Sequence, residues 1–163
     1  MIRILTTILI ALLTCPPAMA ENAAPKVHSL QASFEDVLLE LQEVVINRGL
    51  VVDYTGHVDK MLDRTADAAG SVTDSGETSP YLHAKYIQFC SAKLTHAAVS
   101  ANPQNLAICP YIIYLYETRA VPGTIHIGYR QPIFGPSKAS RKIEGQINKF
   151  LQAIVDDTVQ ASE

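Results

Sequence analysis

Two cysteines and a histidine carry the most reactive chemistry in this sequence: Cys90, Cys109 and His96. Thiolates are nucleophiles and soft metal ligands, and with an imidazole they suit copper or zinc. Cys90, Cys109 and His96 are therefore the candidate metal set, and copper or zinc is the one cofactor the residues suggest. Their spacing matches no standard zinc motif, and the Cys-x-x-Cys-His signature of haem attachment is absent. No G-x-S-x-G, phosphate loop or H-E-x-x-H occurs, so no catalytic residue is assigned. His28, His57 and His83 are scattered and read as surface residues. Asp156 and Asp157 read as part of a solvated helix face.

The same two cysteines also fit a staple. A helix of about ten residues between them rises roughly 15 Å. The connector 102–108 can span that distance back, at about 3.3 Å per extended residue. The sulfurs can meet if the strands they flank run antiparallel. Such a bridge closes a loop of roughly 20 residues, worth on the order of 3 kcal/mol in the chain-entropy picture. Strand parity points the other way, since Cys90 falls among the tyrosines and Cys109 among the buried positions. Strand ends bend, however, and Pro110 bends this one. A structural disulfide and a pair of working thiols both stay open at this level.

The elements that must position these residues follow from hydrophobic period. Val27–Ala32 is a weakly patterned first strand. Ser33 has the character of an N-cap, with Asp36 at the third helical position. Phe34, Val37, Leu38, Leu41, Val44 and Val45 then repeat at spacings of three and four, and Gly49 closes the helix. Leu50–Tyr54 reads as a strand, and 58–69 as a second helix ended by Gly70. The stretch 71–82 has turn chemistry throughout and reads as a surface loop. Tyr86–Cys90 is a strand, 91–101 a modest helix, and 105–110 a connector. Tyr111–Glu117 and Thr124–Tyr129, joined across Pro122-Gly123, read as an antiparallel hairpin. A final helix over 140–159 shows Ile143, Ile147, Phe150, Leu151, Ile154 and Val155 on one stripe. Together these predict an α+β fold, with a mixed or antiparallel sheet and helices packed on one face.

Alternation along the strands assigns the two faces. Ile87, Phe89, Ile113, Leu115, Ile125 and Ile127 point to the helices. The opposite face collects Tyr86, Gln88, Cys90, Ile112, Tyr114, Tyr116 and His126. Tyrosine with a few polar groups suits a protein interface or a shallow binding surface. Tyr86, Gln88, Tyr114, Tyr116 and His126 are accordingly the candidate ligand or interface residues. The alternative is that the loop 71–82 covers this face, or roofs a small-molecule pocket beneath it.

The opening residues suggest export. Arg3, an apolar run from Ile4 to Leu13 and then Ala18-Met19-Ala20 make a signal-peptide pattern, with cleavage expected after Ala20. The run is shorter than the roughly 20 residues a spanning helix needs, so no membrane insertion is expected after cleavage. Residues 21–26 read as a flexible start and 27–163 as one α+β domain. The whole chain carries a net charge of −3, which becomes −4 once Arg3 is removed. With no basic cluster, nucleic acid is not an expected partner. The expected location is periplasmic or secreted, where a disulfide is the default state of paired cysteines.

The order of an amphipathic helix, GLVVDYTGHVDKML, YIQFC, NPQNLAICPYIIYLYE and GTIHIGYRQP resembles the domain of unknown function 302, over Val27 to Pro132. In that family a strand ends in a Phe-Gly-Asn-Pro-like turn, and a later Leu-Pro segment leads into a strand ending in an acid. Here Phe89-Cys90 stands at the first turn, Ile108-Cys109-Pro110 at the second, and Glu117 at the strand end. The cysteines depart from the family pattern. The resemblance implies a compact fold similar to the TATA-binding-protein-like class, a homodimer, and no established activity. It also places both cysteines at strand-end turns. The expected role is an exported, non-catalytic binding or accessory domain that contacts a second copy, a protein partner or a small ligand. The alternative is a redox, sulfur-carrying or copper protein using Cys90 and Cys109.

Overall fold

The computed structural model describes residues 26–69 and 79–163. The stretch read as a signal peptide, most of the tail after it, Gly70 and most of the loop before Tyr81 lie outside the described residues. Five strands form one antiparallel sheet: β1 (Val27–Gln31), β2 (Val52–His57), β3 (Tyr81–Phe89), β4 (Tyr111–Thr118) and β5 (Thr124–Tyr129). They lie in the order β1-β5-β4-β3-β2, so the first two strands occupy opposite edges. The helix between them, α1 (Phe34–Asn47), carries the chain from one edge of the sheet to the other.

Helix α1 buries the six residues its period singles out, and α4 (Lys138–Ser162) packs beside it. These helices cover Ile87, Phe89, Ile113, Leu115, Ile125 and Ile127, all within 1% of full burial. The alternation in β4 is complete, every second residue from Tyr111 to Glu117 being buried. Gly49, at φ 72°, ends α1 in the left-handed region that a residue with a Cβ resists. Ser33 stands at the N-cap of α1, but its side chain makes no cap bond. Arg48, at the other end, pairs with Asp157 of α4 and donates to the Ala153 carbonyl.

Helix α3 (Ala92–Ala101), the modest helix expected over 91–101, and a short 3-10 helix (Pro103–Ile108), overlapping the expected connector 105–110, fill the crossover from β3 to β4. Buried Asn105 fastens this crossover to α4. Its amide donates to the Ala98 carbonyl at 2.9 Å and to Ser140 Oγ at 3.2 Å. The Ser137 hydroxyl caps α4 by accepting from the Ser140 N–H at 3.0 Å. Ser137→Ala is expected to cost about 1 kcal/mol of unfolding free energy, read from urea denaturation.

Helix α2 (Val58–Ala69) packs against β3. Its Asp59 is buried, and one carboxylate oxygen accepts the Ala84 N–H at 3.2 Å. The pairing of β2 with β3 stops at His57↔Lys85, so the carboxylate takes the place of the next strand partner. Two strands differ from the sequence reading by more than one residue. β2 begins two residues later and runs through Gly56 to His57, and β3 begins five residues earlier, at Tyr81.

Candidate functional site

Cross-strand register brings the candidate face together. Tyr86 pairs with Tyr114, which pairs with Gly128; Gln88 pairs with Ile112; Tyr116 pairs with His126. Tyr86, Gln88, Tyr114, Tyr116 and His126 are each half-buried. The rings lie over the sheet. Tyr86 lies across its partner Gly56, where an added Cβ would strike the ring. Tyr114 lies across Gly128 in the same way, its ring and hydroxyl 2.8–2.9 Å from where a Cβ would stand. A glycine opposite a tyrosine thus lets the ring cover backbone that would otherwise be bare.

The remaining rings continue the layer. Tyr116 stacks on the His126 imidazole, with centroids 4.7 Å apart and planes 21° apart. Tyr81 meets Tyr116 edge-on at 5.5 Å, and Tyr54 meets Tyr86 at 6.1 Å. His126 Nδ1 and Ser29 Oγ share a hydrogen bond of 2.8 Å, which fixes the imidazole plane. Gln31 donates to Thr124 Oγ1 at 2.7 Å along the same β1–β5 seam. By register, the strand positions of this face carry tyrosine, serine, threonine, glutamine, histidine and small or aliphatic residues. Lys85 and Glu117 point to the helical side, where Lys85 Nζ reaches Glu35 at 2.7 Å and Glu117 accepts the Gly123 N–H at 2.7 Å. Among the described strand positions that the register pairs, the tyrosine face therefore holds no Asp, Glu, Lys or Arg, and exposed Asp53 lies in the irregularity of β2 between Val52 and Tyr54.

Cys90 and Cys109 form a disulfide, their Cα atoms 5.8 Å apart. The ladder of β3 and β4 ends at the pair Phe89↔Tyr111, and the bridge closes the chain just beyond it. The antiparallel run of the two strands is what brings the sulfurs together, and both cysteines are half-buried. With the sulfurs bonded to each other, neither offers a thiolate to a metal. His96 is exposed on α3. Among the described residues no group of three or more His, Cys, Asp or Glu side chains gathers around a common point.

Sequence reasoning missed Tyr54 and Tyr81 as members of the tyrosine layer. The period-two pair Tyr54/Gly56 was the available signal, since a glycine in a strand marks close approach from a neighbour.

Burial raises the pKa of three tyrosines above the ordinary 10.0: Tyr111, Tyr114 and Tyr129. At Tyr114 the neighbouring Tyr116 adds to the effect, and at Tyr129 Asp156 does. At Tyr111 the Thr95 hydroxyl opposes it. A tyrosine is neutral when protonated, so the unfolded chain loses these protons first as pH rises. Their contribution to stability is full below about pH 10 and is lost as pH climbs through the raised folded values. Urea unfolding followed across that range should show the decline, and Tyr114→Phe should flatten part of it.

Among solved structures, the chain is similar to the crystal structure of an uncharacterized conserved protein, DUF302, from Bacillus stearothermophilus. The TM-score is 0.64 with 18% identity, over 82% of this chain and 96% of that one. The chain thus has a fold like that of domain of unknown function 302, the same fold its strand-end turns resemble. No family model matches the chain. No curated protein matches it either.

Proposed function

We propose that this chain is an exported, non-catalytic binding or accessory domain that pairs with a second copy through its tyrosine face, with Cys90–Cys109 as a structural staple. The observation that carries this reading is a half-buried aromatic sheet face whose paired strand positions carry no charged side chain. In a two-fold pair each residue meets the same surface again, so a charged face would set like charges against each other. A face of tyrosine, histidine and small polar groups can meet itself without that penalty, and tyrosine supplies large contact area at small entropy cost. Export is supported by the signal-like opening of the sequence and by the disulfide, which persists in oxidising compartments.

Tyr114→Asp tests the pairing, because it places two carboxylates in one two-fold contact. The dimer dissociation constant measured by sedimentation equilibrium should rise at least about 100-fold. An unchanged constant removes the tyrosine face from the interface.

A second reading has one observation in its favour. Cys90 directly precedes Ser91, whose side chain caps α3 by accepting from the Leu94 N–H. A helix N-terminus stabilises a thiolate, which suits a redox or sulfur-carrying pair.

A further inference from the structure

A groove of about 450 Å³ lies between β2 and α2, at the β2 edge of the tyrosine face. Its aromatic wall is Tyr54 and Tyr86, whose rings are inclined at 55° to each other. Val58 adds apolar surface beside them. Lys60 and Arg64 also line it, four residues apart on α2 and so on one side of that helix, with His57 near the strand end. Among the described residues no carboxylate lines the groove. On α2, Asp59 is turned into the sheet, where it accepts the Ala84 and Lys60 backbone N–H groups, and exposed Asp63 is not among the lining residues. Among the described residues neither Lys60 nor Arg64 makes an ion pair, although the chain as a whole is acidic.

An aromatic corner facing two cations that have no ion pair among the described residues is a complementary surface for a flat ring bearing negative charge. The ring can stack on tyrosine, while the guanidinium and ammonium groups supply charge-assisted hydrogen bonds to its anionic group. The volume falls within the range of small-ligand sites. We propose that this groove binds a small planar aromatic carboxylate, with Lys60 and Arg64 holding the carboxylate and Tyr54 and Tyr86 the ring. The site borders the dimer contact and shares Tyr86 with it, but its cations, Lys60 and Arg64, belong to α2 and not to the sheet face.

The test is a titration of the mature protein with 2-naphthoate, followed by backbone amide NMR. Parallel titrations use the neutral 2-naphthamide and inorganic phosphate. The expected result is saturable shifts confined to β2, the first turns of α2 and the neighbourhood of Tyr86. The amide and phosphate should each bind more weakly than naphthoate, since each lacks one half of the recognition. Lys60→Gln with Arg64→Gln should weaken naphthoate binding about tenfold or more, with the rest of the amide spectrum unchanged. Lys60→Arg, which keeps the charge, should retain binding. Naphthoate should still bind Tyr114→Asp saturably and still depend on Lys60 and Arg64, so loss of the dimer and loss of this site are read separately. Equal binding of naphthamide, an unaltered affinity in the double glutamine variant, or shifts centred on Tyr116 and His126 would each overturn the assignment.

Discussion

Removing the Cys90–Cys109 bridge is expected to lower the unfolding free energy by about 3 kcal/mol. The bond closes a loop with a sequence separation of 19 residues, and that loop holds α3 and the 3-10 helix. In the unfolded chain it restricts a segment that would otherwise explore many arrangements. In the folded chain it ties two strands already paired along their length, so little folded structure depends on it. Cys90→Ala with Cys109→Ala should therefore fold, with an unchanged circular dichroism spectrum and a lower urea midpoint. Mass spectrometry of the unaltered protein should show a two-dalton increase on reduction and no thiol labelling before it. Labelling of both thiols in protein taken from its own compartment would instead favour the redox reading.

Gly128→Val should be the most damaging single change on the tyrosine face. A Cβ there would stand 2.8 Å from the Tyr114 hydroxyl and 2.9 Å from the backbone carbonyl of Lys26. The ring can rotate away, but the carbonyl precedes β1 and moves only if the β1–β5 edge moves with it. A cost of about 1–3 kcal/mol is expected, with weakened pairing of β1 and a displaced Tyr114 ring. For Gly56→Ala the three nearest atoms all belong to the Tyr86 side chain, and it should cost less, because a side chain can swing where a backbone cannot. Urea unfolding of the two variants side by side gives the ranking, and equal losses would contradict it.

The parts of this architecture legible in the sequence are those set by local period. The stripe of α1, the stripe of α4 and the alternation of β4 each depend on spacing along one segment, and they assigned the two sheet faces. The antiparallel β4–β5 pair was legible because Pro122-Gly123 joins it through a short turn. What escaped depends on neighbours distant in sequence. Tyr81 follows Ser79-Pro80 and looks like loop, but it pairs with Thr118 of β4, and His83 pairs with Glu117 across a register shift. Gly56 and His57 are poor strand formers, yet they extend β2 because Tyr86 and Lys85 stand opposite them. The 3-10 helix depends on Asn105 reaching Ser140, 35 residues away. The basic groove has no signature in one segment, since its lining comes from β2, α2 and β3 together. The bridge was reachable from chain lengths alone, but the choice between bonded and free cysteines needed the antiparallel pairing of β3 and β4.

That two copies meet through the tyrosine face is tested most directly by hydroxyl-radical footprinting of the mature protein across a dilution series. Peptide mass spectrometry reports oxidation residue by residue. As concentration rises through the dimer range found by sedimentation, oxidation of Tyr114, Tyr116 and His126 should fall severalfold. Oxidation of His96, exposed on α3 on the helical side, should stay constant. Constant reactivity of the face residues while the protein dimerises, or protein that remains monomeric throughout, would contradict the account.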